Sequence, residues 1–190
     1  PGTGHVPADY AVVWQPPQAL LDEQPGLRAL FNIGAGIDAL LRLKLPAHTR
    51  VVRLDDAGMS VQMAEYVCQA VIRHFRQIEL DEADMRSQGW PQREPRRRAD
   101  FPVGVMGLGV LGSRVAQSLT AFDFKVLGWS RSPRTVAGVA CYAGDEQLTA
   151  FLNASRILVC LLPLTPQTEN ILNRETLGAL QPGGYLINVA

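Results

Sequence analysis

The stretch that most constrains this 190-residue chain runs from Val103 to Gly112. A short apolar run gives way to glycines at 107, 109 and 112, then to Leu111, Val115, Leu119 and Phe122 at helical spacing. Strand, glycine turn and helix in that order is the context in which G-x-G-x-x-G signals a dinucleotide site. Each glycine has its own task. Gly107 permits a tight turn, Gly109 lets a pyrophosphate approach the backbone, and Gly112 lets the helix pack close to its strand. Val110 and Leu111 open that helix, whose unpaired N–H groups and positive dipole end suit phosphate.

The same alternation repeats on both sides. Upstream, Tyr10–Trp14, Leu27–Ile33 and Arg50–Leu54 read as strands, the second ending in Gly34-Ala35-Gly36. Ser60 can cap a long helix carrying Val61, Ala64, Val67, Val71, Phe75 and Ile78. Downstream, Lys125–Trp129, Val139–Tyr142, the fully apolar Ile157–Leu162 and Tyr185–Ala190 read as strands, with Asp145 and Asn173 as helix caps. Strands alternating with helices imply an α/β chain with parallel sheets. Between the halves, Arg86–Pro102 carries Pro91, Pro95 and Pro102, a basic run at Arg93 and Arg96–Arg98, and Trp90 as its large apolar anchor. It reads as a solvated interdomain connection, which divides the chain into domains 1–99 and 100–190.

Composition narrows the partners. A formal net charge of zero gives no electrostatic case for nucleic acid or an anionic membrane. No apolar run approaches a membrane span, and no cationic leader precedes an apolar core. Cys68, Cys141 and Cys160 lie far apart and form neither a disulfide framework nor a zinc pattern, so a cytoplasmic location is expected. The cofactor's ribose is addressed at the end of Lys125–Trp129. An NAD site places Asp or Glu there, whereas this chain has Ser130, Arg131, Ser132 and Arg134, which suit the 2′-phosphate of NADP(H). A methyltransferase also uses a glycine-rich βα turn, but the acidic ribose ligand it needs is missing.

The motifs in series identify a family resemblance. Gly107-x-Gly109-x-x-Gly112, Leu162-Pro163-Leu164-Thr165-Pro166-Gln167-Thr168 and Pro182–Ala190 together resemble the NAD(P)-dependent D-2-hydroxyacid dehydrogenases. Trp14-Gln15-Pro16-Pro17, Gly34-Ala35-Gly36-Ile37-Asp38, Arg53–Met59 and Trp129-Ser130-Arg131 are similar to that family's glyoxylate/hydroxypyruvate reductase A branch. The resemblance implies a Rossmann-type doubly wound parallel sheet plus a flavodoxin-like substrate domain, both incomplete. It also implies NADP(H) as cofactor, a small 2-oxo acid as substrate, and a homodimer when complete. Backbone N–H groups of Ala35 and Gly36 would take the substrate carboxylate, with Trp14 and Met59 on the apolar side of the cleft. Leu162 and Pro163 would flank the adenine, Thr168 would shape the wall, and Val189 and Ala190 would approach the nicotinamide. The family's arginine, glutamate and histidine are expected beyond Ala190. His5, His48 and His74 are no substitutes, being expected in a terminus, a loop and a helix. The alternative from another class is a non-catalytic NADP(H)-binding module that acts through a partner.

Overall fold

In a computed structural model, residues 6–34 and 36–190 are described. His5 and Ala35 therefore lie outside the described residues. The chain forms two compact units, Pro1–Ala57 with Pro163–Pro166, and Gly58–Leu162 with Gln167–Ala190.

The first unit holds β1 (Tyr10–Val13), α1 (Gln18–Glu23), β2 (Ala29–Asn32), α2 (Asp38–Leu41) and β3 (Arg50–Arg53). The strands are parallel in the order β1-β2-β3, with Val13 opposite Asn32 and Asn32 opposite Arg53. Its core is small: Val13, Leu21, Leu27, Leu30 and Leu40. Alternation along the strands sends Tyr10, Val12, Phe31 and Val52 to the opposite face, where all four are exposed. Trp14 falls just past β1.

The second unit opens with α3 (Met59–Arg76) and α4 (Ile78–Arg86), then β4 (Val103–Met106), α5 (Val110–Thr120), β5 (Val126–Ser130) and β6 (Val139–Ala143). α6 (Leu148–Ala154), β7 (Ile157–Cys160), α7 (Arg174–Gly178) and β8 (Tyr185–Asn188) complete it. All pairings are parallel and the order is β6-β5-β4-β7-β8. The chain winds outward from β4 in one direction, returns, and winds outward in the other, as the doubly wound expectation requires. Alternation fixes the two layers. Val103, Val105, Val126, Ile157, Val159 and Ile187 meet α3 and α5 on one face. Met106, Leu127, Trp129, Leu158 and Cys160 meet α6 on the other.

Two glycines inside strands mark close packing. A Cβ on Gly128 would lie 2.7 Å from the Leu108 side chain, and one on Gly104 would lie 2.8 Å from the Phe151 ring.

Several local expectations are corrected. Ser60 does not cap α3; Gly58 does, at φ 84°, and Ser60 is buried in the first turn. Asp145 opens a 3₁₀ turn (Asp145–Gln147) and makes no side-chain cap for α6. Phe122 lies beyond α5 and is exposed, its place in the buried stripe taken by Gly112 and Ala116. Trp90 anchors nothing, at 89% exposure. The arginines that follow it are not simply solvated. Arg93 pairs with Asp81 and Asp84, Arg96 donates to the His74 carbonyl, Arg97 pairs with Asp100, and Arg98 donates to the Phe122 carbonyl. Asn173, by contrast, caps α7 as expected, accepting from the N–H groups of Glu175 and Thr176.

Candidate functional site

In a parallel sheet the carboxyl ends of all strands share one edge, and the gap where winding reverses is where ligands sit. Here that gap lies between β4 and β7. Gly107 follows β4, Arg131 follows β5, Leu161 and Leu162 follow β7, and Val189 and Ala190 follow β8. Residues more than 80 positions apart in sequence are therefore brought to one edge by topology alone.

The three glycines of the turn divide their work. Gly107 has φ 107°, a conformation only glycine adopts freely, and its N–H donates to the Trp129 carbonyl at 2.8 Å. A Cβ on it would also stand 3.0 Å from the Leu161 carbonyl oxygen. A Cβ on Gly112 would run into the Gly107 carbonyl oxygen, so glycine here lets α5 approach its strand. Gly109 differs from both. Its φ of −74° suits any residue, and no protein atom lies within 4 Å of where its Cβ would be. It is also exposed, with Val110 beside it and Leu111 half-buried. The open space sits over the first N–H groups of an 11-residue helix. This is the shape a pyrophosphate requires, and the residues present fit such a group.

At the end of β5, Ser130 is buried and its hydroxyl donates to the Ser132 carbonyl at 2.8 Å, closing a small turn. The Trp129 indole N–H donates to the Gly144 carbonyl at 2.9 Å and braces that turn from the β6 side. Arg131, Ser132 and Arg134 are exposed on it. Among the described residues no carboxylate pairs with either guanidinium. Two exposed arginines at the same sheet edge as the start of α5 make this corner suited to a phosphate monoester.

The other expected residues fall as follows. Leu162 is half-buried and packs against the Met106–Trp129 layer. Pro163 falls in the first unit, and Thr168 is in the second, where its carbonyl accepts the Ile171 N–H. Val189 packs against the opposite core layer, and Ala190 is exposed. Met59 begins α3 in the second unit, half-buried. Cys160 ends β7, and burial pushes its thiol above the ordinary cysteine range, so it stays protonated and is no nucleophile.

In the first unit, Trp14 and the glycine turn after β2 are brought together. The Trp14 ring lies against Gly34, and a Cβ there would overlap the ring. Gly36 is exposed, and a Cβ on it would stand 3.2 Å from an Asp38 carboxylate oxygen. Sequence reading missed Asn32. It is buried at the end of β2, and its amide donates to the Gly34 carbonyl at 2.9 Å and the Gly36 carbonyl at 2.7 Å. The available signal was a polar residue interrupting the apolar run Leu30-Phe31-Asn32-Ile33 just before a glycine turn.

Among the described residues no cluster of His, Cys, Asp or Glu is arranged to hold a metal ion. No described helix is long and apolar enough to cross a membrane. His48 is exposed in the loop before β3. His74 stacks flat on Tyr185, with ring centroids 4.0 Å apart.

Comparison with known proteins agrees with this geometry. The NAD-binding domain of the D-isomer specific 2-hydroxyacid dehydrogenases matches residues 68–190. Glyoxylate/hydroxypyruvate reductase A of Serratia proteamaculans is 45% identical over 190 residues, covering 97% of this chain and 61% of that protein. Among solved structures, a D-isomer specific 2-hydroxyacid dehydrogenase from Xanthobacter autotrophicus Py2, in complex with NADPH and MES, superposes with a TM-score of 0.90. It is 43% identical and covers 100% of this chain and 62% of that one. An NADPH-dependent glyoxylate/hydroxypyruvate reductase from Sinorhizobium meliloti, in complex with NADP and sulfate, gives a TM-score of 0.89 at 39% identity, covering 95% and 58%. The chain thus spans about three-fifths of the length of these relatives. With the glycine turn, the strand order and the match over 68–190 in agreement, the chain belongs to the D-isomer specific 2-hydroxyacid dehydrogenase family.

Proposed function

We propose that this chain holds NADP(H) at the β4/β7 edge and contributes to NADPH-dependent reduction of small 2-oxo acids such as glyoxylate and hydroxypyruvate. The observation that carries the reading is Gly109. Neither its backbone angle nor any neighbouring atom of the protein calls for glycine, so the space over it is kept for something else. The pyrophosphate would lie there against the N–H groups opening α5, with Val110 and Leu111 at its side. Ser130, Arg131, Ser132 and Arg134 would hold the 2′-phosphate, and a carboxylate in their place would repel it. Leu162 and Pro163 would flank the adenine, Thr168 would shape the wall, and Val189 and Ala190 would border the nicotinamide side. The cofactor, when bound, supplies the hydride that reduces the keto carbon.

On the substrate side, Gly36 and the neighbouring Ala35 would offer backbone N–H groups to the 2-oxo acid's carboxylate. Trp14, whose ring lies on Gly34, would shield that turn from water. The relatives from Xanthobacter and Sinorhizobium, crystallised with NADPH and NADP, favour the same cofactor. The first domain, 1–99, would then serve substrate and the second, 100–190, cofactor, in a cytoplasmic homodimer. Neither the exposed His48 nor the stacked His74 suits protonation of an alkoxide at this edge.

The test is titration of NADPH and NADH into wild type and Arg131→Ala. A charge-assisted hydrogen bond contributes about 1.5–3 kcal/mol. Loss of Arg131 should therefore weaken NADPH roughly 10- to 150-fold, and NADH, which lacks the 2′-phosphate, should barely respond. Equal losses would make Arg131 structural, and tighter NADH than NADPH binding in wild type would overturn the cofactor assignment.

A further inference from the structure

We propose that Asn32 is the positioning residue of the carboxylate-receiving turn, acting through the carbonyls of Gly34 and Gly36. The inference rests on the reading that this turn receives the substrate carboxylate. Asn32 sits at the last position of β2 with only 5% of its surface exposed, where the alternation of the strand would otherwise place an aliphatic core residue. Burying an amide there costs stability unless its hydrogen bonds are made. Its NH₂ group spends both protons on one object, donating to the Gly34 carbonyl at 2.9 Å and the Gly36 carbonyl at 2.7 Å. A single planar group thus fixes two peptide units of a turn that glycine leaves free to rotate.

The orientation matters for chemistry. In a trans peptide the C=O and the following N–H point in opposite directions, and no cis bond occurs among the described residues. Turning the Gly36 carbonyl inward to Asn32 therefore turns the Ile37 N–H outward, to the side away from the core, as a further donor next to that of Gly36. An amide whose carbonyl already accepts a strong hydrogen bond is also a better donor. Asp38 makes the constraint necessary. Its carboxylate lies beside Gly36, so an incoming anion meets repulsion unless the turn's donors are held facing it. A freely rotating glycine turn would also present carbonyl oxygens to the substrate for part of the time. Trp14 closes the other side by lying on Gly34, so its emission reports on the same turn.

The experiment uses the full-length protein that carries these residues, with oxamate as a non-reacting stand-in for a small 2-oxo acid. Oxamate is titrated in the presence of saturating NADPH, followed by tryptophan emission, for wild type and Asn32→Asp. The aspartate keeps the side chain's size but offers no protons to either carbonyl. Losing both bonds should weaken oxamate roughly 10- to 100-fold, while NADPH affinity stays within about twofold, as expected for a change confined to the substrate turn. With glyoxylate, KM should rise by more than kcat falls. Wild-type oxamate affinity in Asn32→Asp would overturn the proposal and leave the carboxylate reading standing. Failure of wild type to bind oxamate while binding NADPH would overturn both. Should Asn32→Asp not fold, the wild-type Asn32 side-chain NH₂ resonances decide. They should exchange slowly with solvent and shift on adding oxamate, and freely exchanging resonances that ignore oxamate would overturn the role.

Discussion

Gly109 and Gly112 stand three residues apart in one motif, yet are opposite in what holds them. Gly112 answers to the protein, because a Cβ there meets the Gly107 carbonyl, and backbone has nowhere to retreat. Gly109 answers to nothing within the protein. The two alanine variants should therefore separate stability from binding. Gly112→Ala should cost about 1–3 kcal/mol or fail to fold, as overpacking against backbone does. Gly109→Ala should melt at or slightly above the wild-type temperature, since its φ of −74° suits alanine and the unfolded chain loses freedom. NADPH binding by Gly109→Ala should nevertheless fall beyond detection. Calorimetric melts alongside NADPH titration check the pair, and a Gly109→Ala protein that binds normally would remove the main support for the pyrophosphate site. Legibility at this scale is uneven. The phosphate-turn glycines show in the sequence because their spacing is a mechanical requirement. Asn32 does not, because its role is defined by two carbonyls that approach it only after the turn folds.

At the scale of elements, strands read well and helix starts read poorly. Each of β4, β5 and β7 is buried along its whole length, so it shows as a run of apolar residues and glycine, with only Ser130 at the end of β5 polar. Helix caps depend on backbone angles that neighbouring residues set. Gly58 in a left-handed conformation pre-empts Ser60, and a 3₁₀ turn absorbs Asp145. The long α3 was legible as a helix, but its partner was not. Val67, Val71 and Phe75 face the sheet that begins with β4, across a proline-broken connection that looks like a boundary. One packing detail at its end has a measurable consequence. His74 stacks on Tyr185 of β8 and sits edge-on to Phe101, with Arg96 and Arg156 nearby and Glu79 as the acidic neighbour. Burial, and then the two guanidiniums, hold its pKa below the ordinary histidine range despite Glu79. The folded state thus resists a proton that the unfolded state accepts near pH 6.5. Stability should be complete above that pH and fall as pH drops through it towards the lower folded pKa. Urea midpoints at pH 7.5 and pH 5 should show the loss in wild type. His74→Phe, which keeps the ring and cannot titrate, should lose less over the same interval.

Across the whole molecule the two units differ in how well each is covered. The second has a parallel sheet buried on both faces, with helices on either side. The first has a five-residue core and an uncovered sheet face bearing Tyr10 at 55%, Val12 at 73%, Phe31 at 40% and Val52 at 42% exposure. Parallel sheets are ordinarily covered on both faces, so this unit retains apolar surface that contributes nothing to its own stability. Strand pattern alone does not reveal this, because an apolar residue reads the same whether or not something packs on it. The expected consequence is unfolding in two steps. Amides of β1, β2 and β3 should exchange with solvent by an opening of lower free energy than those of β4, β5 and β7. NADPH adds a second discriminator. A ligand stabilises only what it binds, by about 2.7 kcal/mol at a hundredfold excess over Kd. Saturating NADPH should therefore raise the later transition and leave the first nearly where it was. Hydrogen exchange read by mass spectrometry, with and without NADPH, separates the two sets of peptides directly. A single transition, with β1–β3 and β4–β7 protected alike and raised together by NADPH, would show that the first unit draws its stability from outside its own core.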